Sequence, residues 1–287
     1  MNEAIEPYDE EWPFRYHGKL LLKREIPLSD STIQRLLQLS YFTPISSFTY
    51  RFLEKQCKRC GNRKASLLGE IPCPLCGKTH LYCRKCIQMG RVMECEPLYV
   101  WTGPTPKWKE YPSPCTWKGS LTKTQQKAAH RIVEAIKQKE KDLLIWAVTG
   151  SGKTEMLFNG ITKALQLGRR ICIATPRQDV VRELLPRLKE AFSTVPIEGL
   201  YAGSKDRDGD SQLMIATTHQ LLRFQEAFDV LIIDEIDAFP YHKDPSLPFA
   251  AKRAIKKDGT TIYLTATPNR HLQKRIRKNE LAHVFVP

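Results

Sequence analysis

Five short motifs, each closing an apolar run, follow one another between Ala147 and Pro268. They are Ala-Val-Thr-Gly-Ser-Gly-Lys-Thr-Glu, Ala-Thr-Pro-Arg, Thr-Thr-His-Gln, Asp-Glu-Ile-Asp and Thr-Ala-Thr-Pro. The runs before them (143–146, 171–174, 213–216, 229–233 and 261–264) are short, apolar and rich in branched residues, which predicts strands buried on both faces. Between them lie helical patterns such as Val181, Leu184, Leu185 and Leu188. Strands alternating with helices predict an α/β fold, a doubly wound parallel sheet flanked by helices. Ligands of such sheets sit at the carboxyl ends of the strands, where all five motifs fall. Cys172 and Met214 read as core residues.

The first motif reads as strand, loop and helix, with Met156, Leu157, Ile161 and Leu165 marking the helix. Such a loop is a phosphate cradle formed by Thr149, Gly150, Ser151, Gly152, Lys153 and Thr154. The glycines let backbone N–H groups turn onto phosphate oxygens, and the helix N-terminus adds its positive end. Lys153 reaches the β- and γ-phosphates, and Thr154 offers a hydroxyl to Mg²⁺. The strict pattern has Gly where this chain has Ala147, a small departure if that position needs no glycine-only conformation.

The run Asp229-Val230-Leu231-Ile232-Ile233 ends in Asp234-Glu235-Ile236-Asp237, which predicts carboxylates at the end of a buried parallel strand, facing the phosphate loop. Mg²⁺ is usually held by one or two carboxylates plus phosphate oxygens, so Asp234 suits the metal and Glu235 suits polarising the attacking water.

On these motifs, residues 121–268 resemble the first RecA-like domain of the DEAD/DEAH-type superfamily 2 helicases. The resemblance implies ATP and Mg²⁺ as cofactors, with Lys153, Asp234 and Glu235 as the catalytic group. It implies that Gln125, in Leu121-Thr122-Lys123-Thr124-Gln125, reads the adenine. Arg177, Thr217 and Thr218 fall where the family touches the nucleic-acid backbone. Asp237, Thr265 and Thr267 fall in the motifs that couple hydrolysis to strand binding.

Upstream stand three Cys-x-x-Cys pairs: Cys57 with Cys60, Cys73 with Cys76, and Cys83 with Cys86. With no signal peptide and no membrane-length apolar run, a reducing cytosol is expected, and thiolates there point to Zn²⁺. Tetrahedral Zn²⁺ takes four ligands, so six are too many for one closed site and too few for two all-cysteine sites without sharing. Two partitions compete. Cys57-Lys-Arg-Cys60-Gly61 reads as a knuckle and Cys83-Arg-Lys-Cys86 as the start of a helix, a treble-clef-like layout. Cys73-Pro-Leu-Cys76-Gly77 is also a good knuckle and pairs equally with the first in a ribbon.

A second resemblance favours the outer pairs. Tyr82-Cys83-Arg84-x-Cys86 with Met89-Gly90-Arg91, Leu144-Ile145-Trp146-Ala147-Val148, Thr217-Thr218-His219-Gln220-Leu221-Leu222 and Asp234-Glu235-x-Asp237-Ala238-Phe239-Pro240-Tyr241 resemble the bacterial competence helicases of the ComFA family. That family joins an amino-terminal four-cysteine zinc module to a DEAD-like motor. The resemblance implies one Zn²⁺ on Cys57, Cys60, Cys83 and Cys86, with Cys73 and Cys76 extra to the pattern. It also implies a cytoplasmic ATPase that helps draw single-stranded DNA into the cell. Such an ATPase works beside the DNA-uptake channel and other competence proteins, at the inner face of the membrane, without inserting into it.

The charge agrees: 45 Lys plus Arg stand against 31 Asp plus Glu, a formal +14. Residues 51–91 are strongly basic, with Lys58, Arg59, Arg63 and Lys64 around the first cysteines, which suggests contact with DNA phosphates. Phe48, Tyr50 and Tyr82 are more readily packing residues than base-stacking ones.

The expected organisation is an N-terminal segment (1–50) with a helical pattern at Ile33, Leu36, Leu37 and Leu39 behind Ser29 and Asp30. A zinc-finger domain (51–96), a Pro/Trp-rich linker (97–118) and the RecA-like domain (119–287) follow. Cys95 and Cys115 have no evident partner, and Lys274, Arg275, Arg277 and Lys278 read as a second linker. A complete motor of this type has a second RecA-like domain with an arginine finger, so the chain is expected to be the amino-terminal part of a longer protein and slow in turnover by itself. The competing functional reading is a non-enzymatic, zinc-dependent DNA- or protein-binding module that only senses nucleotide. A replication-restart helicase is disfavoured, because that family places its cysteines after the first motor domain.

Overall fold

The computed structural model describes residues 7–51, 54–74, 76–148 and 150–287. The helices are α1 (Trp12–Tyr16), α2 (Asp30–Gln38), α3 (Lys123–Gln138), α4 (Lys153–Gln166), α5 (Gln178–Ala191), α6 (Ser246–Ala254) and α7 (Arg270–Arg277). The strands are β1 (Leu20–Leu21), β2 (Phe42–Ile45), β3 (Phe48–Arg51), β4 (Glu54–Cys57), β5 (Leu68–Pro72), β6 (Thr79–Cys83), β7 (Val92–Met93) and β8 (Leu98–Trp101). They continue with β9 (Asp142–Ala147), β10 (Ile171–Thr175), β11 (Ile197–Leu200), β12 (Leu213–Thr217), β13 (Phe228–Ile233), β14 (Ile255–Thr265) and β15 (Ala282–Val286). These elements form two compact units. One holds the chain up to Pro106 together with Leu222–Glu226 and Pro245–Ala254; the other holds Lys107–Leu221, Ala227–Asp244 and Ile255–Pro287.

The second unit is built on one parallel sheet of order β11-β12-β10-β13-β14-β9-β15. Its central strands are those the apolar runs predict, and β10 and β12 are buried along their whole length. Ile173 lies opposite Ile215 on one side and Ile232 on the other. Helices α3, α4 and α5 supply Ile132, Ile136, Leu157, Ile161, Leu184 and Leu188 to the core around the sheet. The two edge strands have no counterpart in the apolar pattern. β11 is a four-residue Ile-Glu-Gly-Leu, too short and polar to announce itself. β15 follows the basic run expected to be a linker; that run instead forms α7, where Arg275 pairs with Asp142 at 2.8 Å.

Residues 97–118 are divided between the units. Leu98–Trp101 forms β8. Beyond Lys107 the chain lies on the α/β unit: the Tyr111 N–H donates to the Leu165 carbonyl at 3.1 Å and the Thr116 N–H to the Ala191 carbonyl at 2.8 Å. Trp108 covers the buried Arg170 guanidinium at 4.8 Å, and Trp117 meets Phe158 edge-on at 5.5 Å. These ring contacts and backbone hydrogen bonds anchor a proline-rich segment that would otherwise only space two domains.

In the first unit, α2 starts where Ser29 and Asp30 suggested, with the Ser29 hydroxyl accepting the Thr32 N–H at 3.2 Å. Ile33 and Leu36 turn inward to an aromatic core of Trp12, Tyr16, Phe42, Tyr99 and Trp101, in which Phe42 lies 5.2 Å from both Tyr16 and Trp101. Three antiparallel sheets, β1-β8-β2, β3-β4 and β5-β6-β7, complete it.

The segment that most alters the sequence picture is α6, which follows the acidic motif in sequence yet packs in this unit. Its buried Arg253 donates to the Leu222 carbonyl at 2.6 Å, the Phe224 carbonyl at 3.0 Å and the Lys58 carbonyl at 2.7 Å, and also to the Arg59 carbonyl. Burial pushes its pKa down to about 10, so it stays charged near neutrality. A Cβ on Gly61, whose φ is +72°, would lie 2.7 Å from Cγ of Phe249. Arg253→Ala strips four carbonyls of their donor at once, and should cost about 2–4 kcal/mol of stability in this unit. Urea unfolding followed by hydrogen exchange at residues 54–62 measures it.

Candidate nucleotide site and metal centre

Three adjacent strands bring the nucleotide motifs together. β9 delivers the phosphate loop, its neighbour β14 ends in Thr265, and the next strand, β13, ends just before Asp234. Thr149 lies outside the described residues. Gly150 and Gly152 have φ of +81° and +68°, the left-handed backbone a phosphate cradle requires, and Gly152 caps α4 at Lys153. A Cβ on Gly152 would lie 2.5 Å from Nε2 of Gln125, so a larger residue there would displace the end of the Gln125 side chain in addition to straining the backbone. Gln125 itself is fixed from both ends. Its Oε1 accepts the Thr122 N–H at 2.7 Å in a capping box, and its Nε2 donates to the Ser151 carbonyl at 2.8 Å. It thereby ties the start of α3 to the phosphate loop.

The acidic motif is arranged around the same end of the sheet. The Asp234 N–H donates to the Ala174 carbonyl at 2.8 Å, and Asp234 Oδ1 accepts the Glu235 N–H at 2.9 Å. Glu235 sits at φ +52°, a conformation that costs a non-glycine residue of order 1–3 kcal/mol, and its Oε2 is buried with no hydrogen-bond partner. A carboxylate oxygen held there in a strained backbone retains its full capacity to accept from a water. Asp237 is tied to the end of β14 and the loop after it: its Oδ1 accepts Thr265 Oγ1–H at 2.6 Å and its Oδ2 accepts Thr267 Oγ1–H. Burial works to raise the Asp237 pKa, and these two hydrogen bonds outweigh it, so the net direction is down.

Asp234 moves the other way. Burial raises its carboxyl to about 6 despite the attraction of Lys153. Because the folded-state value lies above the unfolded one, the proton-linked stability is fully present below the ordinary carboxylate range and is lost as pH rises through about 6. Asp234→Asn should therefore make the nucleotide-free protein more stable by about 1–3 kcal/mol at pH 7, a gain that shrinks toward zero near pH 4. With Asp234 as the Mg²⁺ ligand the motif predicts, the same substitution should also weaken binding of Mg-nucleotide. Urea midpoints at the two pH values, with and without Mg-nucleotide, give both signs.

The residues assigned by resemblance to DNA lie nearby in the sheet but differ in exposure. Arg177 caps α5 and is exposed, paired with Asp179. Thr217 ends β12 and is buried, and Thr218 is fully buried with no hydrogen-bond partner for its hydroxyl. Of the basic residues around the first knuckle, Arg63 and Lys64 are exposed and Lys58 half-buried. Arg59 is fully buried, its Nη2 lying 2.7 and 2.9 Å from the Glu25 oxygens and its Nη1 donating to the Met89 carbonyl. It is occupied inside the unit and is withdrawn from the group expected to meet phosphates.

Cys57, Cys60, Cys83 and Cys86 place their sulfurs within 4.8 Å of one another, all buried. The Cys57–Cys86 and Cys60–Cys83 separations are 3.8 and 3.5 Å. A tetrahedron with Zn–S bonds of about 2.3 Å has edges of about 3.8 Å, so the donor set, geometry and enclosure fit a structural Zn²⁺. The first pair sits on a knuckle in which the Gly61 N–H donates to the Cys57 carbonyl and the Cys57 N–H to the Asn62 carbonyl. The second pair spans the end of β6 and a short helical turn over 84–89. All nine cysteines are outside disulfides. Phe249 and Arg253, which pack and hydrogen-bond against the first knuckle, carry no signal in the sequence pattern and stand in no Cys-x-x-Cys or nucleotide motif.

Residues 8–100 match the family described as competence protein ComFA N-terminal domain, and residues 118–270 match the type III restriction enzyme res subunit. Competence protein ComFA of Bacillus subtilis is 45% identical over 291 residues, covering 100% of this chain and 62% of that protein. ComFA of Streptococcus pneumoniae is 38% identical over 231 residues, covering 76% and 52%. The chain thus spans little more than half the length of these curated relatives. A solved structure described as a hypothetical ATP-dependent RNA helicase from Sulfolobus tokodaii aligns with a TM-score of 0.47 and 18% identity, over 59% of this chain and 54% of that one. Among the described residues no helix is long and apolar enough to cross a membrane. With both domain matches in their expected order along a sequence related to ComFA from end to end, the chain belongs to the ComFA family of competence proteins.

Proposed function

We propose that this chain is the amino-terminal portion of an ATP-dependent DNA translocase that helps import single-stranded DNA during natural competence, working in the cytoplasm beside the uptake machinery. The observation that carries the reading is the meeting of the phosphate loop, Asp234-Glu235 and the Asp237–Thr265–Thr267 linkage at the ends of three neighbouring strands. In this reading Lys153 and Thr154 bind the phosphates and their Mg²⁺, Asp234 holds the metal, and Glu235 orients the attacking water. Gln125, which joins the phosphate loop to α3, meets the adenine. The Asp237 linkage passes the state of the γ-phosphate to the strand that carries Thr265.

Single-stranded DNA runs over Arg177, with Thr217 and Thr218 contributing through the backbone because their side chains are buried. The exposed basic residues of the finger assist. Neutralising Lys58, Arg63 and Lys64 should weaken DNA binding and flatten its log–log salt dependence by roughly 0.7 for each phosphate no longer neutralised. An unchanged slope assigns the finger to a protein partner.

The deciding measurement is ATPase activity with and without single-stranded DNA, on this chain and on a version extended to the length of its relatives. Turnover should rise with DNA and by on the order of 10³ with the extension, as an arginine finger would supply. DNA-independent nucleotide binding without turnover in either version would favour a nucleotide-sensing binding module.

A further inference from the structure

Cys73 and Cys76 are extra to the four-cysteine centre, and the fold shows what they are joined to. Around Cys73 and Gly77 the hydrogen bonds of the first knuckle recur: the Gly77 N–H donates to the Cys73 carbonyl at 2.9 Å and the Cys73 N–H to the Lys78 carbonyl at 2.9 Å. The corresponding distances at Cys57 are 2.8 and 3.0 Å, and Gly77 and Gly61 share the left-handed conformation, with φ of +67° and +72°. A Cys-x-x-Cys turn wound this way presents both sulfurs to one side.

Two further donors face that turn. Cys95, just beyond β7, places its sulfur 3.7 Å from that of Cys73, close to the edge of a zinc–thiolate tetrahedron. His80, on β6, has Nε2 3.0 Å from the Cys76 sulfur. Its other ring nitrogen lies 3.8 Å from Glu94 Oε2. Glu94 is itself held in place, accepting the Leu81 N–H at 3.1 Å and the Tyr50 hydroxyl. A carboxylate behind the distal nitrogen of a histidine is the usual outer partner of a metal-bound imidazole, fixing its tautomer and orientation.

We infer that Cys73, Cys76, His80 and Cys95 form a second, Cys₃His Zn²⁺ site in the β5-β6-β7 sheet, separate from the four-cysteine centre. The donors stand as two pairs and not as one closed cluster, since among the described residues only the four-cysteine group brings all its ligand atoms within 4.8 Å. Closing the site requires Cys76, exposed at the tip of the turn, to carry its sulfur toward the Cys73–Cys95 pair while His80 follows. The two centres therefore differ in kind: the first is enclosed and preformed, the second is assembled by its metal at an exposed edge. Softness and ligand number favour Zn²⁺ among divalent ions.

The test is metal content of the whole chain purified from zinc-supplemented cells and dialysed without chelator. Two equivalents are expected, falling to one in Cys73→Ser/Cys76→Ser. His80→Ala and Cys95→Ser each leave three ligands and should lower the affinity of the weaker equivalent at least about tenfold in competition with a chromogenic chelator, as loss of one ligand or its support does elsewhere. In the cobalt-substituted protein, His80→Ala should alter the visible spectrum of the second equivalent only. A single equivalent in the wild type overturns the inference, as does a second equivalent that survives the Cys73/Cys76 variant. A Cys73–Cys95 disulfide in protein carrying one zinc would assign this cluster to redox chemistry and equally overturn it.

Discussion

Lys153→Ala is expected to abolish nucleotide binding, with affinity for Mg-ATP falling by about 10²–10⁴. The side chain stands at the first turn of α4, just after the Gly152 cap, and supplies the one full positive charge of the phosphate loop. Hydrogen bonds to charged partners contribute about 1.5–3 kcal/mol each, and a lysine bridging the β- and γ-phosphates makes two. Glu235→Gln is the informative contrast. It keeps the shape of the side chain and removes its ability to draw a proton from water, so binding should persist while residual hydrolysis drops by about 10²–10⁴. Titration with a fluorescent nucleotide separates the two. Equal loss of binding in both variants would mean that Glu235 holds the metal instead of the water.

The second large effect is expected on stripping metal. Apparent binding energies for structural Zn²⁺ are about 10–16 kcal/mol, as large as the whole stability of a typical domain. The strands around Cys57, Cys60, Cys83 and Cys86 are short, and the aromatic core of the same unit is built from residues on either side of them in sequence. Chelation should therefore expose residues 54–93 to hydrogen exchange while β10, β12 and β13 of the α/β unit remain protected. Protection should also fall at Pro245–Ala254, because Arg253 loses its acceptors at Lys58 and Arg59 when the knuckle opens. Unchanged exchange in 54–62 after complete zinc removal would show that the knuckle is held by packing alone.

The parts legible in the sequence are those whose chemistry is local. A phosphate cradle needs glycines, a lysine and a hydroxyl in consecutive positions, and a metal-holding strand end needs acids directly after a buried run. Those requirements are met within a few residues, so Gly150 to Thr154 and Asp234 to Asp237 are recognisable and fall at strand ends. The central strands are equally legible, because a strand buried on both faces must be apolar throughout. Edge strands carry no such demand, and β11 and β15 leave no mark in the pattern.

The amino-acid sequence by itself determined the α/β class, the order of the nucleotide motifs and the presence of more thiolates than one zinc can use. Only the tertiary structure decided which four cysteines cluster, that Arg59 is buried and paired with Glu25, and that α6 packs in the unit that carries that cluster. It also brought Cys95 and His80, far apart in pattern and silent in spacing, beside Cys73 and Cys76. The reason is physical: ligand closure, ion pairing and burial depend on distances between residues remote along the chain, and those distances exist only once the backbone has closed its loops.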